Sequence, residues 1–370
     1  MIVWTTSCNQ EISTSTEIIH LNYQKAEKIV SPQLSSLLSD IRYVALESSD
    51  TCLLKDIQAL VLTEKYIVIN DGNQCYAFDK TNGKFLHLIG KGNNNDPSGY
   101  SRSSSPLFVQ GNHVLLVGNG GLTYNVYDLD NGKICEKIPG EYMEEGKWTF
   151  ERIFPIRDSL ILRYPLNIDG KNKIGINVRN YSGEVLKEFP STNNIDGDSP
   201  MNFFIDSREI EFYAYNGYTY FHEITSDTIF RLNDQLEMEP CYVIGLGSQL
   251  PTLLNVRNQE KELILCSNFI ENDNVLLFKT LWQDRAYLYN KNTKKLGYVN
   301  TKETDGFIND LNGFLPFWPI DCGRGKANNE VWASIQPDEY MEGVEATGVN
   351  PSGLNLKFDD NPVIAIGILK

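Results

Sequence analysis

Cys75-Tyr-Ala-Phe-Asp-Lys-Thr-Asn-Gly-Lys-Phe-Leu-His-Leu-Ile-Gly90 reads as two strands folded back on each other at Asn82-Gly83. An Asn-Gly pair accepts the positive φ that a tight hairpin turn requires, so the flanking runs are expected to pair antiparallel. The pattern returns as Tyr124-Asn-Val-Tyr-Asp-Leu-Asp-Asn-Gly-Lys-Ile-Cys-Glu-Lys-Ile138, turning at Gly132. It returns again as Ile176-Asn-Val-Arg-Asn-Tyr-Ser-Gly-Glu-Val-Leu-Lys-Glu-Phe189, turning at Gly183. The turn glycines lie 49 and 51 residues apart. That is close to the period of four-stranded propeller blades, about 40 to 50 residues.

Each hairpin is preceded by two further strand-like runs. For the first these are 57–62 and 65–70, for the second 106–109 and 113–117, and for the third 148–156 and 159–163. Two later units, less regular, occupy 209–244 and 263–299. A sixth unit supplies three strands at 314–320, 330–335 and 362–369, with an insertion at 336–361. The spare strand is 41–47. Pairing it with 362–369 would close the ring with both ends of the chain in one blade and leave no unit unpaired at either end. The runs at 114–117, 160–162 and 275–278 are continuously apolar rather than alternating, as expected of strands dry on both faces. The expected fold is therefore all-β, a six-bladed β-propeller of four-stranded antiparallel blades over residues 41–370.

A length of 370 residues would ordinarily suggest two domains, and the repeat accounts for it instead. No run reaches the roughly 18 apolar residues of a membrane-spanning helix. The chain carries 33 basic and 48 acidic side chains, net −15. Such a surface repels nucleic-acid backbones and anionic lipid, leaving cationic ligands, metal ions and neutral sugars as electrostatically permitted partners.

Seven cysteines without a C-x-x-C pair encode no local zinc or redox site. Cys75, Cys135 and Cys266 fall in strand runs and are expected to be small buried hydrophobes. His87, His113 and His222 lie in three different blades, and a packed or half-exposed strand histidine is the expectation for each. No metal and no cofactor is expected. The acidic stretches 128–132 and 196–198 read as turns rather than calcium loops, since Pro139 stands where an EF-hand needs its last ligand.

Arg42-Tyr-Val-Ala-Leu-Glu-Ser-Ser-Asp-Thr-Cys-Leu-Leu54, Phe78-Asp-Lys-Thr-Asn-Gly-Lys-Phe-Leu86 and Asp360-Asn-Pro-Val-Ile-Ala-Ile-Gly-Ile-Leu-Lys370 carry a resemblance. They look like the opening segment, first hairpin and closing strand of the six-bladed β-propeller lipoproteins of Bacteroidetes, an NHL-like family mostly without assigned function. One departure is clear. Where that family tends to carry Gly-Pro-Gly-Glu-Tyr after the first hairpin, this chain reads Gly90-Lys-Gly-Asn-Asn-Asn-Asp-Pro-Ser-Gly-Tyr100, with Gly99 in the place of the acid.

Met1-Ile-Val-Trp-Thr-Thr-Ser-Cys8 is similar to the tail of a bacterial lipoprotein signal, although no Lys or Arg precedes the cysteine. The expectation is a signal remnant at 1–8, a lipid anchor on Cys8, a tether over 9–40, and a monomer in the cell envelope, periplasmic or surface-exposed.

The loop after the first hairpin joins an outer strand to the next inner strand, on the face where propeller ligands usually dock. Lys91, Asn93, Asn94, Asp96, Tyr100 and Arg102 are its candidate ligand-binding residues, among which a plain turn-rich loop is the competing reading. The nucleophile elbow, the H-E-x-x-H helix and the P-loop are all missing from the sequence. These readings point to a non-catalytic binding module for a glycan or protein. The alternative is a polysaccharide hydrolase or lyase collecting its carboxylates from several blades at the central channel. Of the aromatics, which include Trp148, Trp282, Trp318, Trp332 and nineteen tyrosines, most are expected to pack between blades and a few on the channel rim to be available for stacking on sugars.

Overall fold

A computed structural model describes residues 17–92, 96, 99–100, 108–118, 123–140, 151–157, 159–165, 174–191, 209–251, 263–281, 283–320 and 329–370. Blade I is formed by Ala59–Leu62, Tyr66–Asn70, Cys75–Asp79 and Phe85–Ile89, paired in that order. Blades II (Phe108–Pro139), III (Glu151–Pro190), IV (Ile210–Val243) and V (Cys266–Asn300) repeat the antiparallel meander.

The ring closes as the sequence led us to expect. In blade VI, Glu330–Ile335 pairs with Val363–Leu369, which pairs with Leu38–Ala45 from the start of the chain. The inner position of this blade is held by single bridges, Phe307 to Phe317 and Ile320 to Trp332, rather than by a regular strand over 314–320. Pro316 and Pro319 lack the N–H groups that a continuous ladder needs.

Apolar packing runs unbroken from blade to blade. Separate clusters join blades I and II, blades II to IV, blades IV and V, blades V and VI, and blades VI and I, so every sheet is sandwiched between two others. This explains the apolar second strands: Val114, Leu115 and Leu116 of blade II and Leu276, Leu277 and Phe278 of blade V are all buried.

The repeated glycine does more than turn a hairpin. Gly83 and Gly132 have φ of 72° and 68°, and the preceding aspartates, Asp79 and Asp128, accept from backbone N–H groups inside each turn. Each glycine also touches the blade before it. The Gly83 carbonyl accepts from Glu47 N–H at 2.8 Å, and the Gly132 carbonyl from Gly90 N–H at 3.0 Å. A methyl group on either would collide with a backbone oxygen of the neighbouring blade, that of Ala45 or Leu88. Asp128-Leu-Asp-Asn-Gly132 is thus a self-capped turn, whereas 196–198 lies outside the described residues.

Three expectations change. From Ile19 onward the supposed tether is fastened to the ring: Ile19–His20 pairs parallel with Tyr242 and Val243 on the outer edge of blade IV. Glu27–Lys28 does the same with Gly297 and Tyr298 of blade V, before the chain enters blade VI at Leu38. The first strand of blade V is Cys266–Glu271, starting three residues after the expected beginning of that unit at 263, and it is bulged between Ser267 and Ile270. Cys135, on the outer strand of blade II, is exposed, because that strand has no fifth neighbour to cover it; Cys75 and Cys266 are buried as expected.

The insertion at 336–361 contains the α-helix Pro337–Thr347, which starts with Pro at its first turn and ends at Gly348 with φ of 71°. It connects the second and third strands of blade VI. No helix among the described residues is long and apolar enough to cross a membrane.

Candidate functional site

Loops that join an outer strand to the next inner strand, and second strands to third strands, leave the ring at one rim. The expected ligand loop is on that rim, but its described part is built inward. Lys91 bridges Gly99 in parallel, Tyr100 N–H donates to Lys91 O at 3.0 Å, and Asn125 Nδ2 donates to Gly99 O at 2.7 Å. Tyr100 is consequently fully buried between blades I and II, edge-on to Tyr127 at 6.3 Å, and is core rather than a ligand contact. Burial pushes its hydroxyl far above the usual tyrosine range. Lys91 is exposed and Asp96 half-exposed. Asn93, Asn94, Arg102 and Cys8 lie outside the described residues.

The histidines do not converge. His87 Nε2 is 3.0 Å from Leu129 O, His113 is exposed, and His222 is buried. Among the described residues no group of His, Cys, Asp and Glu side chains could hold a metal ion.

A different part of the same rim, on blades IV to VI, gathers unusual chemistry. It begins at the bulge in the inner strand of blade V, where Asn268 has φ of 52°, a left-handed conformation that a non-glycine residue adopts at some cost. The bulge re-aims two neighbouring side chains. Phe269 packs against His222 of blade IV with ring centroids 5.2 Å apart, and burial lowers the His222 pKa to about 4, so the ring is neutral at physiological pH. Asn268 instead reaches blade VI, where its Nδ2 donates to Pro319 O at 3.4 Å.

Beside Pro319 stands Trp318. The ammonium of Lys279, on the second strand of blade V, lies 4.9 Å from the centre of its ring, and Phe307 meets the ring edge-on at 5.6 Å. Burial lowers the Lys279 pKa from its ordinary value.

Trp318 also lines a pocket of about 210 Å³ between blade VI and its inserted helix. Tyr43, Ala333 and Phe317 form apolar walls, while Asp305, Ser334 and Glu339 supply polar groups. The Tyr43 hydroxyl accepts from Asn309 Nδ2 at 3.0 Å. Glu339 is the third residue of the helix, and its carboxyl takes a hydrogen bond from the backbone of Gln336, the N-cap. Desolvation nevertheless raises its pKa. An aromatic wall with carboxylates and a hydroxyl at its margin suits a ligand that has one apolar face and several hydroxyl groups.

Trp318 is one of several aromatics expected mostly to pack between blades, and the sequence does not single it out as a rim residue. Lys279 and Trp318 are 39 residues apart in the chain and meet only because blades V and VI are neighbours. The one local signal was Leu315-Pro-Phe-Trp-Pro319, whose two prolines keep the segment out of the regular ladder.

Two solved structures similar to this chain come from Bacteroides. A Bacteroides fragilis protein proposed to be exported superimposes with a TM-score of 0.68 at 16% identity, over 96% of this chain and 100% of its own. A member of the DUF4221 family from Bacteroides vulgatus gives 0.50 at 13% identity, over 90% and 97%. At these identities the likeness speaks for the fold. No protein of curated function matches the chain in sequence. The model of one family, described as a domain of unknown function, DUF4934, matches residues 16–367, nearly the whole molecule, and this chain belongs to that family.

Proposed function

We propose that this propeller is a non-catalytic, extracytoplasmic binding module that takes a glycan at the Trp318 pocket. The observation that carries the reading is the pairing of an aromatic wall, Trp318 and Tyr43, with Asp305, Ser334 and Glu339 in one cavity. Sugar rings present apolar C–H faces to aromatics and hydroxyl donors to carboxylates, so both halves of the cavity find a use. Export is supported by the proposed export of the Bacteroides fragilis protein and by the lipoprotein-like residues 1–8, with Cys8 as the lipid anchor. Lys91 and Asp96, on the loop between blades I and II, would then stand outside the site rather than form it.

The test is isothermal titration of the purified protein with a panel of defined oligosaccharides, alongside Trp318→Ala. Binding by the wild type that falls by about tenfold or more in the variant, with unchanged circular dichroism, supports the reading. Absence of binding across the panel, or equal binding by the variant, refutes it.

A second reading, glycoside cleavage, is favoured by one observation: two carboxyl groups, Asp305 and Glu339, line the same pocket, and the pKa of Glu339 is raised as a general acid requires. Release of reducing ends from the same panel, abolished in Glu339→Gln, would select it.

A further inference from the structure

We propose that the glycan is an acidic one, and that Lys279 recognises the carboxylate of a uronic-acid residue placed beside Trp318. This deepens the glycan-binding reading and rests on it.

Lys279 is an anomaly in this molecule. Its ammonium is partly buried, sits on the ring of Trp318, and has no carboxylate, carbonyl or hydroxyl partner among the described residues. Two other lysines drawn in from the surface are matched: Lys80 pairs with Glu330 at 2.7 Å, and Lys291 pairs with Glu271 at 2.6 Å. A chain with 48 acidic side chains has ample material to neutralise one more cation. Asp305 and Glu339 line the pocket that Trp318 borders, yet neither forms an ion pair with Lys279. An aromatic face replaces only part of the hydration that a buried ammonium loses. The fall in its pKa is consistent with that deficit.

An incoming carboxylate would supply the missing counter-charge. The two ends of the region then have distinct tasks. Asp305, Ser334 and Glu339 accept sugar hydroxyls, and Lys279 pairs with the acid group, with Trp318 common to both. A neutral sugar would satisfy the first set only. Asn268, held at positive φ on the adjoining bulge, fixes the spacing between blades V and VI through Pro319.

The experiment compares trigalacturonic acid with its fully methyl-esterified form, which has the same sugar skeleton without the charge, by isothermal titration of wild type and Lys279→Met. The expected result is a preference of about tenfold or more for the acid in the wild type, which the variant loses. Equal affinity of the wild type for acid and ester overturns the inference and leaves the glycan reading standing. A preference that survives in Lys279→Met overturns the role of Lys279. No binding of either probe, or of any other oligosaccharide, removes both readings. Should Lys279→Met fail to fold, acylation of Lys279 in the wild type, followed by mass spectrometry, provides the second measurement. Trigalacturonic acid should slow the labelling and the ester should not; equal labelling rates with the two overturn the inference.

Discussion

Lys291 Nζ stands 2.6 Å from Glu271 Oε1, a pair within blade V that faces blade IV. Glu271 ends the inner strand of blade V, and its side chain is 1% exposed. The same carboxylate accepts the hydroxyls of Tyr213 at 2.7 Å and Tyr242 at 2.5 Å, both from blade IV. Lys291 in turn covers the ring of Tyr215, 4.0 Å from its centre, and Tyr215 donates to Asp273. One buried anion, with both carboxylate oxygens engaged, therefore ties two blades together.

Removing that anion should open the junction. Glu271→Ala leaves two buried hydroxyls and one ammonium without their acceptor, and a loss of about 3 to 5 kcal/mol is expected. Urea unfolding followed by far-ultraviolet circular dichroism measures it. A midpoint within error of the wild type would show the network to be decorative.

The turn glycines give a cleaner comparison. Gly83→Ala and Gly132→Ala should each cost more than about 2 kcal/mol, because a left-handed backbone and a collision with the neighbouring blade act together. Gly217 has a similar φ, 77°, with nothing near the position of an added methyl, so Gly217→Ala should cost only about 1 kcal/mol. If all three variants unfold at the same urea concentration, contact with the preceding blade is energetically idle.

Stability should also fail at both ends of the pH scale, for different reasons. His222 has a pKa of about 4 folded against an ordinary 6.5, so the unfolded chain binds its proton first. Its contribution is present above pH 6.5, declines as the pH falls towards 4, and amounts to roughly 3 kcal/mol when lost. His222→Phe should flatten the stability profile between those limits. At the alkaline end, burial raises Tyr76 and Tyr127 to about 12. Their neutral forms favour the folded state, so this stability is intact below about pH 10 and is lost as the pH rises through 12. Tyrosinate absorbance that appears together with unfolding supports this, and full ionisation in the folded protein would contradict it.

Sequence periodicity made the ring legible because each blade repeats a local event. Asn82-Gly83 and Asn131-Gly132 announce their turns without help from distant residues, and the seam could be deduced by counting one strand too few in the last unit and one too many at the start. The edge pairings of Ile19–His20 and Glu27–Lys28 involve two residues each, too few to imprint any alternation. Tyr100 misled for a related reason: polar neighbours and flanking glycines advertise a surface loop, and nothing local records that one side chain swings inward. The bulge at Asn268 shifted the first strand of blade V because Ser267-Asn268 interrupts an otherwise apolar run. The candidate site was the least legible part, since Lys279, Trp318 and Glu339 share no motif and become neighbours only through the order of blades.

The fastening of residues 19–28 along blades IV and V gives the molecule a graded response to mechanical force. Tension applied ahead of Ile19 would first peel a short contact from blade IV, then another from blade V, then the pairing of Pro32–Leu34 with Ile308, and only afterwards reach the long Leu38–Ala45 seam that keeps the circle shut. Each release lengthens the slack by several residues, about 3.3 to 3.6 Å apiece. A propeller moored by that end could thus yield by some tens of ångströms before its architecture is strained.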